Sequence, residues 1–225
     1  MTNSPADDAP PRSPDDPCVT IRHDMVASQI AARCVVNPRV LSAMRAVHRH
    51  AFVPAGDRGL AYADAPIPIG HGQTISQPYI VALMSALCRP SPADRALEIG
   101  TGCGYQAAVL SQLVHHVFSV ERVEDLATAA RTRLAALGFG NITVRLGDGY
   151  EGWAEHAPFD IIVVTAAPPA IPDALVGQLR AGGRMVVPVG AAGAVQDLLL
   201  IEKDGEGRVS QRSTIAVRFV PMVKE

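Results

Sequence analysis

Three short features of this chain have the residue types and spacing to hold a nucleoside. The first is Gly100-Thr101-Gly102-Cys103-Gly104, directly after the run Leu97-Glu98-Ile99. Where a strand hands over to a helix, the backbone must turn tightly and approach a ligand, and glycine, with no Cβ, permits both. Gly100, Gly102 and Gly104 form G-x-G-x-G, and Tyr105 stands where a dinucleotide fingerprint carries its third glycine. That spacing favours a cofactor without a pyrophosphate. The second feature is Glu121, about 20 residues beyond the turn, where a carboxylate at a strand end accepts hydrogen bonds from both ribose hydroxyls. The third is Asp148 in Gly147-Asp148-Gly149, either an acceptor for an adenine amino group or an ordinary Asp-Gly turn.

A fourth candidate is the loop from Tyr62 to Tyr79, dense in Pro and Gly, which contains Gly70-His71-Gly72-Gln73-Thr74-Ile75-Ser76-Gln77-Pro78. A polar loop of this length in a compact domain either serves function or is a solvated connection. His48 with His50, and His115 with His116, have no carboxylate or cysteine companion in a ligand-like spacing. They read as exposed or structural, and no metal is expected. Trp153, Phe118 and Phe159 read as core or pocket wall.

These features need a sheet to align them. From Arg95 onward, short apolar runs alternate with helical patterns, the order expected of parallel strands with crossover helices. Strands are expected at Arg95 to Ile99, Val117 to Glu121, Ile142 to Leu146, Phe159 to Thr165 and Arg184 to Pro188. Helices are expected at Gln106 to Leu113, Val123 to Leu137 (ended by Gly138) and Pro172 to Arg180. Asp197 to Lys203 and Ser213 to Val220 flank Asp204-Gly205-Glu206-Gly207 and read as an antiparallel hairpin at the sheet edge. Upstream, Asp24 to Met44 shows helical spacing with a break at Asn37-Pro38, a helical cap. The fold class is therefore α/β: a Rossmann-like, mostly parallel sheet with helices on both faces. Glycine turn, Glu121 and Asp148 then fall at three successive strand ends on the carboxyl edge, where open α/β sheets bind ligands.

With 225 residues, 48% of them hydrophobic, the chain can bury one sizeable core. We expect a disordered tail over residues 1–22, poor in large apolar groups, and one domain over 23–225. A formal charge of -2 gives no electrostatic footprint for nucleic acid or an anionic membrane. No apolar run approaches the roughly 20 residues of a membrane span, and the start of the chain lacks the pattern of a secretory signal. Four scattered cysteines with no C-x-x-C pair fit reduced thiols in a cytoplasmic protein.

The chain resembles the protein-L-isoaspartate O-methyltransferase family over nearly its whole length. The resemblance is carried by Ala51 to Pro54 (AFVP), Pro68 to Gly70, Gly72 to Ala82 (GQTISQPYIVA), Leu97 to Leu110 (LEIGTGCGYQAAVL), Ser119 to Arg122 (SVER), Gly147 to Gly149, Ala157 to Asp160 (APFD), Val164 to Ala167 (VTAA) and Arg218 to Lys224 (RFVPMVK). QTISQP weighs most, because the glycine turn is common to many methyltransferases. The resemblance implies a fold that binds S-adenosyl-L-methionine, with S-adenosyl-L-homocysteine as product. It implies methyl transfer to the free α-carboxylate of L-isoaspartyl residues in damaged proteins and peptides, which leads through a succinimide back toward aspartate. Ser76 would be the active-site serine. Cofactor contacts would come from Thr74, Ile75, Ser76, Glu98, Gly100, Gly102, Gly104, Glu121, Arg122, Asp148 and Gly149, and substrate contacts from Ile75, Ser76 and Val220. A monomer is expected.

Three positions depart from the family pattern: Cys34 in a step that is often Arg-Gly-Ile, His48 in place of a frequent proline, and Cys103 in place of serine. Other readings are a carboxyl methyltransferase acting on another peptide carboxylate, a nicotinamide-dependent oxidoreductase, which the G-x-G-x-G spacing and terminal hairpin disfavour, and a non-catalytic binding module.

Overall fold

In the computed structural model, which describes residues 16–224, the chain opens on helices and closes on a sheet. Helix α1 (Val19–Met25) runs on through a π turn (Val26–Ile30) and a 3-10 turn (Ala31–Arg33), and Cys34 ends it in the left-handed conformation at φ 67°. The Asn37-Pro38 break starts α2 (Pro38–Ala46). The Asn37 side chain accepts from the backbone N–H groups of Arg39 and Val40, and Pro38 stands at the first helical position, where no N–H is needed.

One boundary moves. Residues 1–15 of the expected tail lie outside the described residues, but residues 19–22 belong to α1 and Arg22 is buried. Arg22 pairs with Asp16 and donates from Nε to the Arg45 carbonyl at 2.6 Å. Apolar content missed this anchor because it is an ion pair and a backbone hydrogen bond.

The Pro- and Gly-rich loop is folded more tightly than expected. It contains an antiparallel hairpin, β1 (Ile67–Gly70) and β2 (Gln73–Ile75), whose turn Gly70-His71-Gly72 has positive φ throughout. Helix α3 (Pro78–Leu87) follows; it is apolar nearly all round and has no amphipathic period to reveal it in sequence.

The remaining elements are β3 (Arg95–Ile99), α4 (Tyr105–Ser111), β4 (His116–Glu121), α5 (Glu124–Ala136), β5 (Ile142–Leu146), β6 (Phe159–Val164), α6 (Asp173–Gln178), β7 (Leu179–Val189), β8 (Gln196–Lys203) and β9 (Val209–Val217). Their order in the sheet is β5-β4-β3-β6-β7-β8-β9. The first five are parallel, and β8 and β9 form the antiparallel hairpin at the edge. The chain winds outward from β3 to β5, then crosses back to β6 on the other side of β3. The carboxyl end of β3 is therefore the switch point where a crevice opens.

Alternate residues of β3 feed two apolar clusters, Ala96 on one face and Leu97 and Ile99 on the other, as period-2 side chains must. Trp153, Phe118 and Phe159 pack together in the second cluster, as read from sequence. Helix α6 stops short of Arg180 because Leu179 already pairs with Phe159 as the first residue of β7. Strand β9 ends at Val217, and the segment after it crosses to Ala167, which donates to the Val220 carbonyl and accepts from Met222 N–H. Among the described residues, no helix is long and apolar enough to cross a membrane.

Candidate active site

The glycine turn occupies the switch point. Gly100, Gly102 and Gly104 have φ of 92°, 54° and 91°, a region that side-chain-bearing residues seldom adopt. At Gly100 a Cβ would also collide with Thr165 Oγ1, which donates to the Gly100 carbonyl at 2.6 Å. The Glu121 carboxylate is locked by backbone: Oε2 accepts from Gly102 N–H at 2.7 Å and Oε1 from Val123 N–H at 2.9 Å. Each oxygen keeps a further acceptor position.

These groups wall an open cleft, together with Thr74, Arg122, Gly149, Val220 and Met222. A Cβ on Gly149 would strike Ile99 and Met222, so the absent side chain keeps this wall close-packed. A fixed carboxylate beside a bare backbone turn suits a ribose diol and its nucleoside. Arg122 is the only cation among the described residues on this wall, which suits a cofactor without a pyrophosphate.

A second cavity adjoins, lined by Thr74, Ser76, Gln77, Arg218 and Phe219 among others. Thr74 is common to both cavities. The Ser76 hydroxyl has no hydrogen-bond partner among the described residues. Gln77 fixes the loop by donating to Asp64 Oδ1 at 2.7 Å.

Several expected residues are placed otherwise. Ile75 is buried in the core, because in β2 its neighbour Thr74 takes the outward face. Asp148 does not line the cavity; its Oδ1 accepts from Tyr150 N–H at 2.8 Å, so the turn role is present while Gly149 beside it forms the wall. The Val220 carbonyl is taken by Ala167, which leaves its N–H for any main-chain contact. Glu98 lies wholly beneath the turn, where Thr101 Oγ1, Ser119 Oγ and Glu98 Oε2 form a buried hydrogen-bond chain. Burial pushes its carboxyl up to about 8, the Ser119 hydrogen bond opposes that rise, and the charge of Glu121 adds to it.

Sequence reasoning passed over Thr165, Arg218 and Gln196. Thr165 follows directly on β6, the strand beside β3, so the strand-end rule that found Glu121 would have found it. Buried Gln196 clamps Phe219, accepting from its N–H at 2.8 Å and donating to its carbonyl at 3.3 Å. Nothing in the sequence pattern marks that contact.

A mostly parallel sheet closed by an antiparallel hairpin, with a bare glycine turn and a strand-end carboxylate at its switch point, defines a Rossmann-like methyltransferase fold. Residues 20–225 match the protein-L-isoaspartate(D-aspartate) O-methyltransferase family. The chain belongs to that family. It is 56% identical over 187 residues to protein-L-isoaspartate O-methyltransferase 2 of Polaromonas sp., covering 83% of this chain and 89% of the other. It is 52% identical over 221 residues to the enzyme of Synechococcus sp., covering 95% and 90%. A solved protein-L-isoaspartate O-methyltransferase superposes with a TM-score of 0.82 at 28% identity, over 90% of this chain and 66% of that one. A Plasmodium falciparum protein assigned to the same family, solved in complex with S-adenosyl-L-homocysteine, has the same fold at 24% identity (TM-score 0.76, 91% and 99% coverage).

Proposed function

We propose that this chain transfers a methyl group from S-adenosyl-L-methionine to the free α-carboxylate of L-isoaspartyl residues in damaged proteins and peptides. The observation that carries the reading is the pair of cavities meeting at Thr74, one built for a nucleoside and one open enough for a peptide. Membership of the family supplies the acceptor's chemistry. The ester so formed loses its methanol on closing to a succinimide, and hydrolysis of that ring returns part of the material to aspartate.

Glu121 would hold the ribose hydroxyls, and Gly100, Gly102 and Gly149 would let the nucleoside lie against backbone. The bound cofactor supplies an electrophilic methyl on a sulfonium. A carboxylate acceptor, with an ordinary pKa of roughly 3.9, is already ionised at neutral pH and needs no general base. The chain's contribution is placement, which is worth on the order of 7 kcal/mol in favourable cases. Ser76 donates to the acceptor carboxylate and aims it at Thr74, where the cavities join. Arg218 provides positive charge along the same cleft. The mild net charge and unpaired cysteines agree with a cytoplasmic monomer acting on peptide and not on nucleic acid. The single catalytic domain would begin with the Asp16–Arg22 anchor and not at residue 23.

The test is incubation with methyl-labelled cofactor and two peptides that differ only in isoaspartate against aspartate. Label on the isoaspartyl peptide alone is expected. Equal label would point to another peptide carboxylate as acceptor, and cofactor binding without label to a binding module.

A further inference from the structure

The H-x-H pair His48 and His50 lacks a carboxylate or cysteine nearby in sequence, and the fold supplies both. One carboxylate oxygen of Asp16, Sγ of Cys18 and a ring nitrogen of His50 lie within 4.8 Å of one another. His48 Nε2 is 3.7 Å from Asp16 Oδ2. We propose that Asp16, Cys18 and His50 form a site for a divalent transition-metal ion of the zinc class, on the helical cap and apart from the cofactor cavity.

The donors suit such an ion. Zinc takes thiolate, imidazole and carboxylate at about 2.0–2.3 Å, which sets ligands about 3.3–3.8 Å apart around a tetrahedron. Closing from the observed spacing takes about 1 Å of movement by three half-buried side chains. Binding breaks the Cys18 S–H bond, forms a sulfur–metal bond and releases one proton to solvent. The thiolate and Asp16 then set two negative charges against the ion's two and the one on Arg22, which leaves the cluster with a single net positive charge. Arg22 stays paired with Asp16 and holds the carboxylate in place.

An outer partner is present too. Tyr62 Oη lies 2.7 Å from His50 Nδ1, which orients the ring and leaves its other nitrogen, Nε2, without a hydrogen-bond partner among the described residues. Metal-ligating histidines are oriented in this way by the partner of their other nitrogen. The fourth position falls to water, with His48 alongside. Asp16 and Cys18 precede residue 20, where the family match begins, while His50 lies within it. An occupied site ties the segment before α1 to the turn that carries His48 and His50.

Cobalt(II) added to the full chain is the probe, read by absorbance. One equivalent should give a thiolate charge-transfer band in the near ultraviolet and strong visible bands of a four-coordinate ion, both removed by zinc(II). Cys18→Ser should abolish the near-ultraviolet band and weaken binding at least tenfold. Tyr62→Phe should weaken it by roughly 10- to 100-fold, the usual effect of losing an outer partner. Cys34→Ser, which alters an exposed thiol elsewhere, should change neither. No band at one equivalent, or a band that survives Cys18→Ser, overturns the proposal.

Discussion

Replacing Glu98 by glutamine tests whether the floor of the glycine turn is a neutral acid. The carboxyl is buried, and its pKa rises from the usual 4.5 to about 8. The folded chain therefore keeps a proton that the unfolded chain releases, so the folded state binds more protons and stability falls as pH rises through this window. Glu98's stability contribution is fully present below about pH 4.5 and is lost as pH passes 8. At 1.36 kcal/mol per pKa unit, the whole shift corresponds to about 5 kcal/mol. Between pH 5.5 and 7.5 stability falls by on the order of 1 kcal/mol per pH unit on the same conversion. Glu98→Gln removes the titration. Its new amide meets no partner where Glu98 Oε1 has none, at a cost of about 1–3 kcal/mol that does not vary with pH. Urea unfolding of both proteins at pH 5.5, 6.5 and 7.5 gives the difference in stability, in which other titrating groups cancel. That difference should move toward the variant by on the order of 1 kcal/mol per pH unit. A difference that stays constant across the range would refute the assignment of a buried neutral Glu98.

Glu121→Ala should cost at least about 100-fold in affinity for S-adenosyl-L-homocysteine by calorimetry, because two hydrogen bonds to a charged acceptor are lost at about 1.5–3 kcal/mol each. Ser76→Ala should lower kcat by between about ten- and a hundredfold, one hydrogen bond to a carboxylate, while calorimetry finds cofactor affinity within about twofold of the parent. Abolished cofactor binding in a folded Ser76→Ala protein would remove its positioning role. Cys34→Gly should raise stability by about 0.5–1 kcal/mol in thermal or urea unfolding, since Cys34 sits at φ 67° where a Cβ is penalised by about 1–2 kcal/mol.

The sheet was legible where one chemical pattern decides one element. Arg95–Ile99 and Ile142–Leu146 have the predicted bounds because each is a short apolar run between turn signals. Glu121 and the glycine turn were legible because strand ends on the carboxyl edge are where ligands must lie. The hairpin β1–β2 was not, since its proline and glycines break any alternation. Without the strand, nothing said that Thr74 and Ile75 face opposite ways. Glu98 was expected to touch cofactor on resemblance alone, and only packing shows it beneath the turn. The left-handed Cys34 explains why glycine is frequent at that step, a constraint that residue types alone did not disclose.

The cofactor cavity draws its wall from Thr74, Gly100, Glu121, Gly149, Thr165 and Val220, which lie on six separate stretches of chain. A single small molecule seated there would bridge the β1–β2 hairpin, the strand ends of the sheet and the segment after β9, and its binding energy is gained only when all are in place. Such a ligand converts local openings into one cooperative unit. Amide exchange in the β1–β2 hairpin and in residues 220–223 would then slow together on binding, although nearly 150 residues separate them.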